Sequence, residues 1–195
     1  MDKMDKQLIP SEVLREKGRL LVRRGSLWRL AVSAAATVAC TLVLFGLLFG
    51  VAIVHGDSMN PAFRNSDLAL FSRLGRRGAD GYSAGDVVIL RTGEEDRREA
   101  TGLRKFVKRV VGTPGDLVDI TPDGVSVNGE LLPEPYAAGF TEPKDSVTFP
   151  LRLGEGEYFV LGDNRENSSD SRSFGAVTAG HIDGRVLAVL RTGKP

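Results

Sequence analysis

A serine becomes a nucleophile only when something takes its proton, and this sequence offers few candidates. Ser58 sits in Gly56-Asp57-Ser58-Met59-Asn60, where a long apolar run breaks off just before Pro61. A serine in such a place is ordinarily a turn-former, so its chemistry depends on a partner. His55 and His181 are the only histidines. The first is too near in sequence to fold back easily onto Ser58, and the second lies in the turn-like AGHIDG. Asn60 stands where a G-x-S-x-G elbow needs its last glycine, and no serine has a lysine at S-x-x-K spacing. The same inspection argues against metals. There is no Cys/His cluster at zinc spacing, and in GDNRENSSD Arg165 falls where a calcium loop needs an oxygen donor. Glycine-rich phosphate loops are missing too. No metal and no organic cofactor is expected.

Lysine remains as a base, provided that it is neutral. A free lysine has a pKa of about 10.4, so roughly one in 2,500 is deprotonated at pH 7. Lowering that value by about three units costs roughly 4 kcal/mol and requires burial away from water. Lys105 follows Arg104 at the start of a strand, and a solvated role is expected for it. Lys144 lies between Pro143 and Asp145, and Lys194 is next to the last residue. Lys108 differs. In KFVKRVV a period of two puts Phe106, Lys108 and Val110 on one face and Val107, Arg109 and Val111 on the other. The pattern fits a buried amine, but also a strand lysine whose head snorkels to water, and taken alone it favours the latter.

The elements that must position these residues are strands. DLALFSRL (67–74), DVVILR (86–91), RKFVKRVVG (104–112), DLVDI (116–120), VSVN (125–128), EYFVLG (157–162) and DGRVLAVL (183–190) are rich in Val, Ile, Leu or Phe and bounded by turn residues. Asp123-Gly124 and Asn128-Gly129 are hairpin turns, so 116–132 reads as a small meander. TGEEDRREATG (92–102) reads as a solvated loop. After Val54 no long segment has a 3.6-residue apolar period.

Before that point the chain is of another kind. Leu30 to Val54 contains no charged residue over 25 positions, enough helix for a bilayer core of roughly 30 Å. Ala34 and Ala36 come early in the run and LVLFGLLFGVAIV follows them, which argues against a cleaved secretory signal. Residues 1–29 hold eight Lys/Arg against four Asp/Glu, leaving 18 against 21 in the rest. By the positive-inside rule the N-terminus stays cytoplasmic and 55–195 is exported. Three segments follow: a basic cytoplasmic stretch at 1–29, a single transmembrane helix at 30–54 and an extracytoplasmic domain at 55–195. The only cysteine, Cys40, lies in the span, so the exported domain has no disulfide to form. A net charge of +1 gives no hint of nucleic-acid binding.

Four segments taken in order resemble the type I signal peptidases, membrane-bound serine-lysine enzymes that remove signal peptides from exported proteins. GDSMNP resembles that family's nucleophile box, GDVV (85–88) a strand box, KRVVGTPGD (108–116) the lysine box and GDNRENSSDSR (162–172) its long box. The likeness covers essentially all of 30–190. It implies a mainly β fold, a single N-terminal transmembrane helix followed by an all-β serine-lysine peptidase domain. It further implies Ser58 as nucleophile, Lys108 as general base and Ser168 as the hydroxyl that hydrogen-bonds the lysine amine. Asp170 with Arg172, and Asp163 with Arg109, would be structural ion pairs, and Gly162 would allow close backbone approach behind the lysine. Val54, Met59, Phe106 and Val107 would line shallow substrate pockets for small residues at positions −1 and −3.

The implied partners are preprotein signal peptides, the lipid bilayer of the cell membrane and the protein export machinery. Gly56 stands where some members carry a serine that donates to the oxyanion, so the second donor is unassigned. Ser58 follows Val54 by four residues, at most about 14 Å of extended chain, which would hold it near the outer membrane face. Two other readings remain open: a serine-lysine peptidase of narrower substrate range, and an inactive membrane-anchored β-domain that binds signal sequences.

Overall fold

The computed structural model describes residues 11–74, 81–91 and 104–192, and the chain divides into two compact units, Met1–Gly46 and Leu47–Pro195. The first holds most of α1 (Ser11–Leu48). Within it Leu27–Leu48 forms a stretch of mean hydropathy 2.2 whose side chains are not buried by the protein. Its hydroxyls bond within the helix, Ser33 to the Leu30 carbonyl (3.0 Å), Thr37 to Ser33 (2.9 Å) and Thr41 to Thr37 (2.9 Å). None of the three therefore needs water, as an apolar surrounding demands.

The expected helix over 30–54 is corrected at its end. The helix stops at Leu48, and Phe49–Val54 is a strand, β1. An unbroken apolar run carries no period to separate the two. The decision comes from pairing, antiparallel with β2 (Leu68–Ser72) and, at Ile53 and Val54, parallel with β4 (Arg104–Gly112). The short tether argued from Val54 to Ser58 falls with that boundary.

The remaining strands are β3 (Val87–Leu90), β5 (Leu117–Thr121), β6 (Gly124–Val127), β7 (Glu130–Leu131), β8 (Leu151–Arg152), β9 (Glu157–Leu161), β10 (Val177–Thr178) and β11 (Ile182–Leu190). A four-residue helix, α2 (Ser171–Phe174), precedes β10. The main sheet runs β1-β2-β11-β3-β4-β9-β10, and the β1–β4 pairing closes its first five strands into a ring. A second sheet runs β7-β6-β5-β8 and contains the meander read from its Asp-Gly and Asn-Gly turns. The chain is thus mainly β behind one apolar helix. The loop expected at 92–102 lies outside the described residues.

Alternation along β3 and β4 sorts their side chains between two cores. Ile89 and Val107, directly paired, join Ala52, Val54, Met59, Phe63, Ala69 and Phe71 in one cluster. Val88, Leu90 and Val110 point the other way, with Tyr82, Tyr158, Val160, Val177 and Ile182. Lys108 is paired with Val88 and therefore faces this second core.

Candidate active site

Ser58 lies in the turn after β1, and Lys108 lies mid-way along β4. The fold brings Lys108 Nζ to 2.7 Å from Ser58 Oγ. The amine also donates to the Val107 carbonyl (3.1 Å) and lies 5.8 Å from the centre of the Phe106 ring. Lys108 is 1% exposed. Burial pulls its pKa down from 10.5 to about 8; the nearby carboxylates Asp170 and Asp163 oppose that shift, and Arg172 assists it. The side chain sits where the two-residue period put it, and the snorkelling reading does not hold.

Both carboxylates are held by arginines. Asp163 takes two bonds from Arg109 (2.8 and 2.6 Å), and Asp170 takes Arg172 Nε and Nη2 (both 2.9 Å). Burial pushes the Asp170 carboxyl up. The Arg172 bonds, the Gly162 N–H and the Ser168 hydroxyl outweigh it, so the pKa ends below the usual value. Their charge is thus spent on guanidinium groups rather than on the amine, which leaves desolvation in control of Lys108.

Gly162 is the meeting point behind the lysine. A Cβ there would collide with the Ser168 side chain and the Ser58 carbonyl oxygen. Ser168 itself departs from the expected role. Its hydroxyl is buried and makes no hydrogen bond of ordinary geometry, although it lies near enough to Asp170 to help keep that acid ionised. The hydrogen bonds of the Lys108 amine go to Ser58 and Val107.

The pocket residues are corrected more strongly. Val54 (1% exposed), Met59 (1%) and Val107 (2%) are core side chains with almost no free surface. Phe106, 44% exposed, borders an open cavity, shared with Leu90, Arg91, Lys108, Ser169, Phe174, Val177 and His181. Lys105 is not simply solvated either. It is bonded to Asp183, as is Arg91 (2.7 Å), and these bonds overcome burial to lower the pKa of Asp183.

Sequence reasoning missed the residues that brace the site. Asn164 donates its N–H to the Ser58 carbonyl (3.0 Å) and its amide to the Asp57 carbonyl (3.2 Å), tying the nucleophile turn to the 162–172 loop. Arg165, 1% exposed, forks onto both carboxylate oxygens of Glu134 (2.6 and 2.7 Å) and bonds Thr141 (2.6 Å). Lys144 donates to the Ser168 carbonyl (3.0 Å) and to Ser173 Oγ (3.1 Å). Asn164 and Arg165 belong to the quoted long box, which was a signal. Glu134 and Lys144 reach the loop across 31 and 24 residues of chain, and nothing local marks them. Among the described residues no group of three His, Cys, Asp or Glu could hold a metal ion.

A serine hydroxyl in contact with a buried amine whose pKa lies near 8 can be deprotonated and attack a carbonyl carbon. The chain is similar to known proteins. Residues 27–191 match the family model described as signal peptidase, peptidase S26. Similar curated proteins include signal peptidase I S of Bacillus subtilis (strain 168), 32% identical over 155 residues, covering 75% of this chain and 77% of that one. Signal peptidase IB of Staphylococcus aureus (strain N315) is 32% identical over 148 residues, covering 68% and 73%. A crystal structure of a signal peptidase I from Enterococcus faecalis V583 matches with 30% identity and a TM-score of 0.40, covering 55% of this chain and 97% of that one.

Proposed function

We propose, from the premise that this chain belongs to the S26 signal peptidase family and is a hydrolase, that it removes signal peptides through a Ser58–Lys108 pair. The observation that carries the mechanism is the 2.7 Å contact between Ser58 Oγ and a Lys108 amine whose pKa is about 8. With the amine neutral, the Ser58 O–H donates to its lone pair. Lys108 takes that proton as Oγ bonds to the scissile carbonyl carbon, then passes it to the leaving nitrogen as the C–N bond breaks. A water molecule gives its proton to Lys108 and its oxygen to the acyl carbon, and Ser58 recovers its proton as the ester opens. The Ser58 backbone N–H serves as one oxyanion donor. Gly56 offers no side chain, and its own N–H is bonded to Asn65 Oδ1 (3.0 Å).

Leu27–Leu48 anchors the protein in the cell membrane as a single span, with the basic N-terminal side cytoplasmic and the peptidase domain outside. The substrates are exported preproteins carrying small residues at −1 and −3, delivered by the export machinery. Full-length protein in detergent should cut a model preprotein once, at its signal-peptide junction. Ser58→Ala and Lys108→Met should each remove that cut. An uncut preprotein with the unaltered protein, or cleavage that survives Ser58→Ala, would overturn the reading and leave the inactive β-domain. Protease added to intact spheroplasts should degrade the peptidase domain and spare an N-terminal tag.

A further inference from the structure

The cavity beside Lys108, about 250 Å³, is not explained by the nucleophile and base alone. Its walls are mostly apolar: Leu90, Val177 and two rings, Phe106 and Phe174, that are 44% and 49% exposed. It opens on the Lys108 face of β4, the face opposite Val107 and the core that holds Val54 and Met59. We infer that this cavity receives the side chain of the first residue after the scissile bond and selects an apolar one, an inference that rests on the proposed peptidase function.

Proton delivery fixes the occupant. The leaving nitrogen must come within hydrogen-bond reach of Lys108 Nζ, about 3 Å, to take its proton. The Cα of the residue that owns this nitrogen is a single bond away, roughly 1.5 Å. Its side chain therefore starts beside the amine, next to the cavity that Lys108 itself borders. The charge at the rim points the same way. Among the described residues that line the cavity, Arg91 and Lys108 are basic and none is a carboxylate. A basic side chain meets repulsion there, whereas an apolar one covers the two rings.

The test uses full-length protein in detergent and preproteins identical except for Gly, Leu, Phe or Lys at the first mature position. The Leu and Phe substrates should be cut with kcat/KM about tenfold above Gly, the scale of a hydrophobic pocket contact, and Lys below Gly. Phe174→Ala removes a half-exposed ring, so folding should tolerate it, and it should shrink the preference to less than about threefold. Val177→Phe fills the cavity and should put Leu and Phe below Gly. Equal kcat/KM for Gly, Leu and Phe would overturn the inference. So would a preference that persists undiminished in Phe174→Ala. Failure to cut any of the four substrates would instead remove the peptidase function, and this inference with it.

Discussion

Lys105 and Lys108 stand three residues apart on β4 and so on opposite faces, and the fold treats them in opposite ways. Lys105 meets a carboxylate directly, sharing Asp183 with Arg91. Lys108 meets a hydroxyl and a carbonyl, while the two nearest acids are turned to arginines. The first arrangement sets the amine against a counter-charge. The second gives up solvation without supplying a counter-charge, and the pKa falls to about 8. In the proposed mechanism the general base is made by withholding a partner. Burial alone is not the device, since Arg172 of α2, 2% exposed, is as buried as Lys108 but is bonded to Asp170.

Breaking the Lys108 side of this comparison should have the largest effect. Lys108→Met should lower kcat by about 10²- to 10⁴-fold, the usual contribution of a general base. Lys105→Met should cost only a few-fold. Comparable losses in single-turnover cleavage would mean that the two faces do not differ in function.

Asp170→Asn asks what the turned-away carboxylate does. It leaves the Arg172 guanidinium buried without its charge partner, which should cost about 3–5 kcal/mol in denaturant unfolding. Because Asp170 holds the Lys108 pKa up, its removal should also move the acid limb of kcat/KM to lower pH. An unmoved or raised limb would show that the carboxylate's charge does not reach the amine.

Lys108→Met should also stabilise the fold. The folded pKa, about 8, lies below the ordinary 10.5. Below pH 8 the amine is charged in both states, and the native state carries the whole desolvation cost, about 3 kcal/mol. The cost shrinks as the pH rises from 8 to 10.5 and is gone above that. Lys108→Met should therefore gain up to about 3 kcal/mol at pH 7 and nothing near pH 11. Lys105→Met, which breaks a partly exposed pair, should lose at most about 1 kcal/mol. A gain for Lys108→Met that is the same at pH 7 and pH 11 would show improved packing rather than relief of a buried charge.

The smallest effect is the most specific. In the unaltered protein kcat/KM should rise tenfold per unit below pH 8 and level off above it. Replacing His55, or replacing His181, which lies at the cavity, should leave that limb in place. A limb near 6.5 that disappears with either histidine would transfer the base to the imidazole.

What the residues determined unaided is what local pattern can encode. β4 is read to the residue at 104–112, because KFVKRVV alternates and glycine closes it. The pairing of Ser58 with Lys108 is legible from the four boxes together, each a short string with its own turn chemistry. Tertiary structure decided the rest. The helix ends at Leu48 because Phe49–Val54 finds partners in β2 and β4, and a uniformly apolar run holds no sign of that. The two-residue strands β7, β8 and β10 are too short for any period to show. Val54, Met59 and Val107 became core rather than pocket because the closed ring places them on its inner cluster. Lys105 reaches Asp183 across 78 positions and Arg165 reaches Glu134 across 31. Such contacts depend on the register of distant strands and the course of the loops between them. A sequence specifies these only through the folded whole, so the dyad could be read in advance and its supports could not.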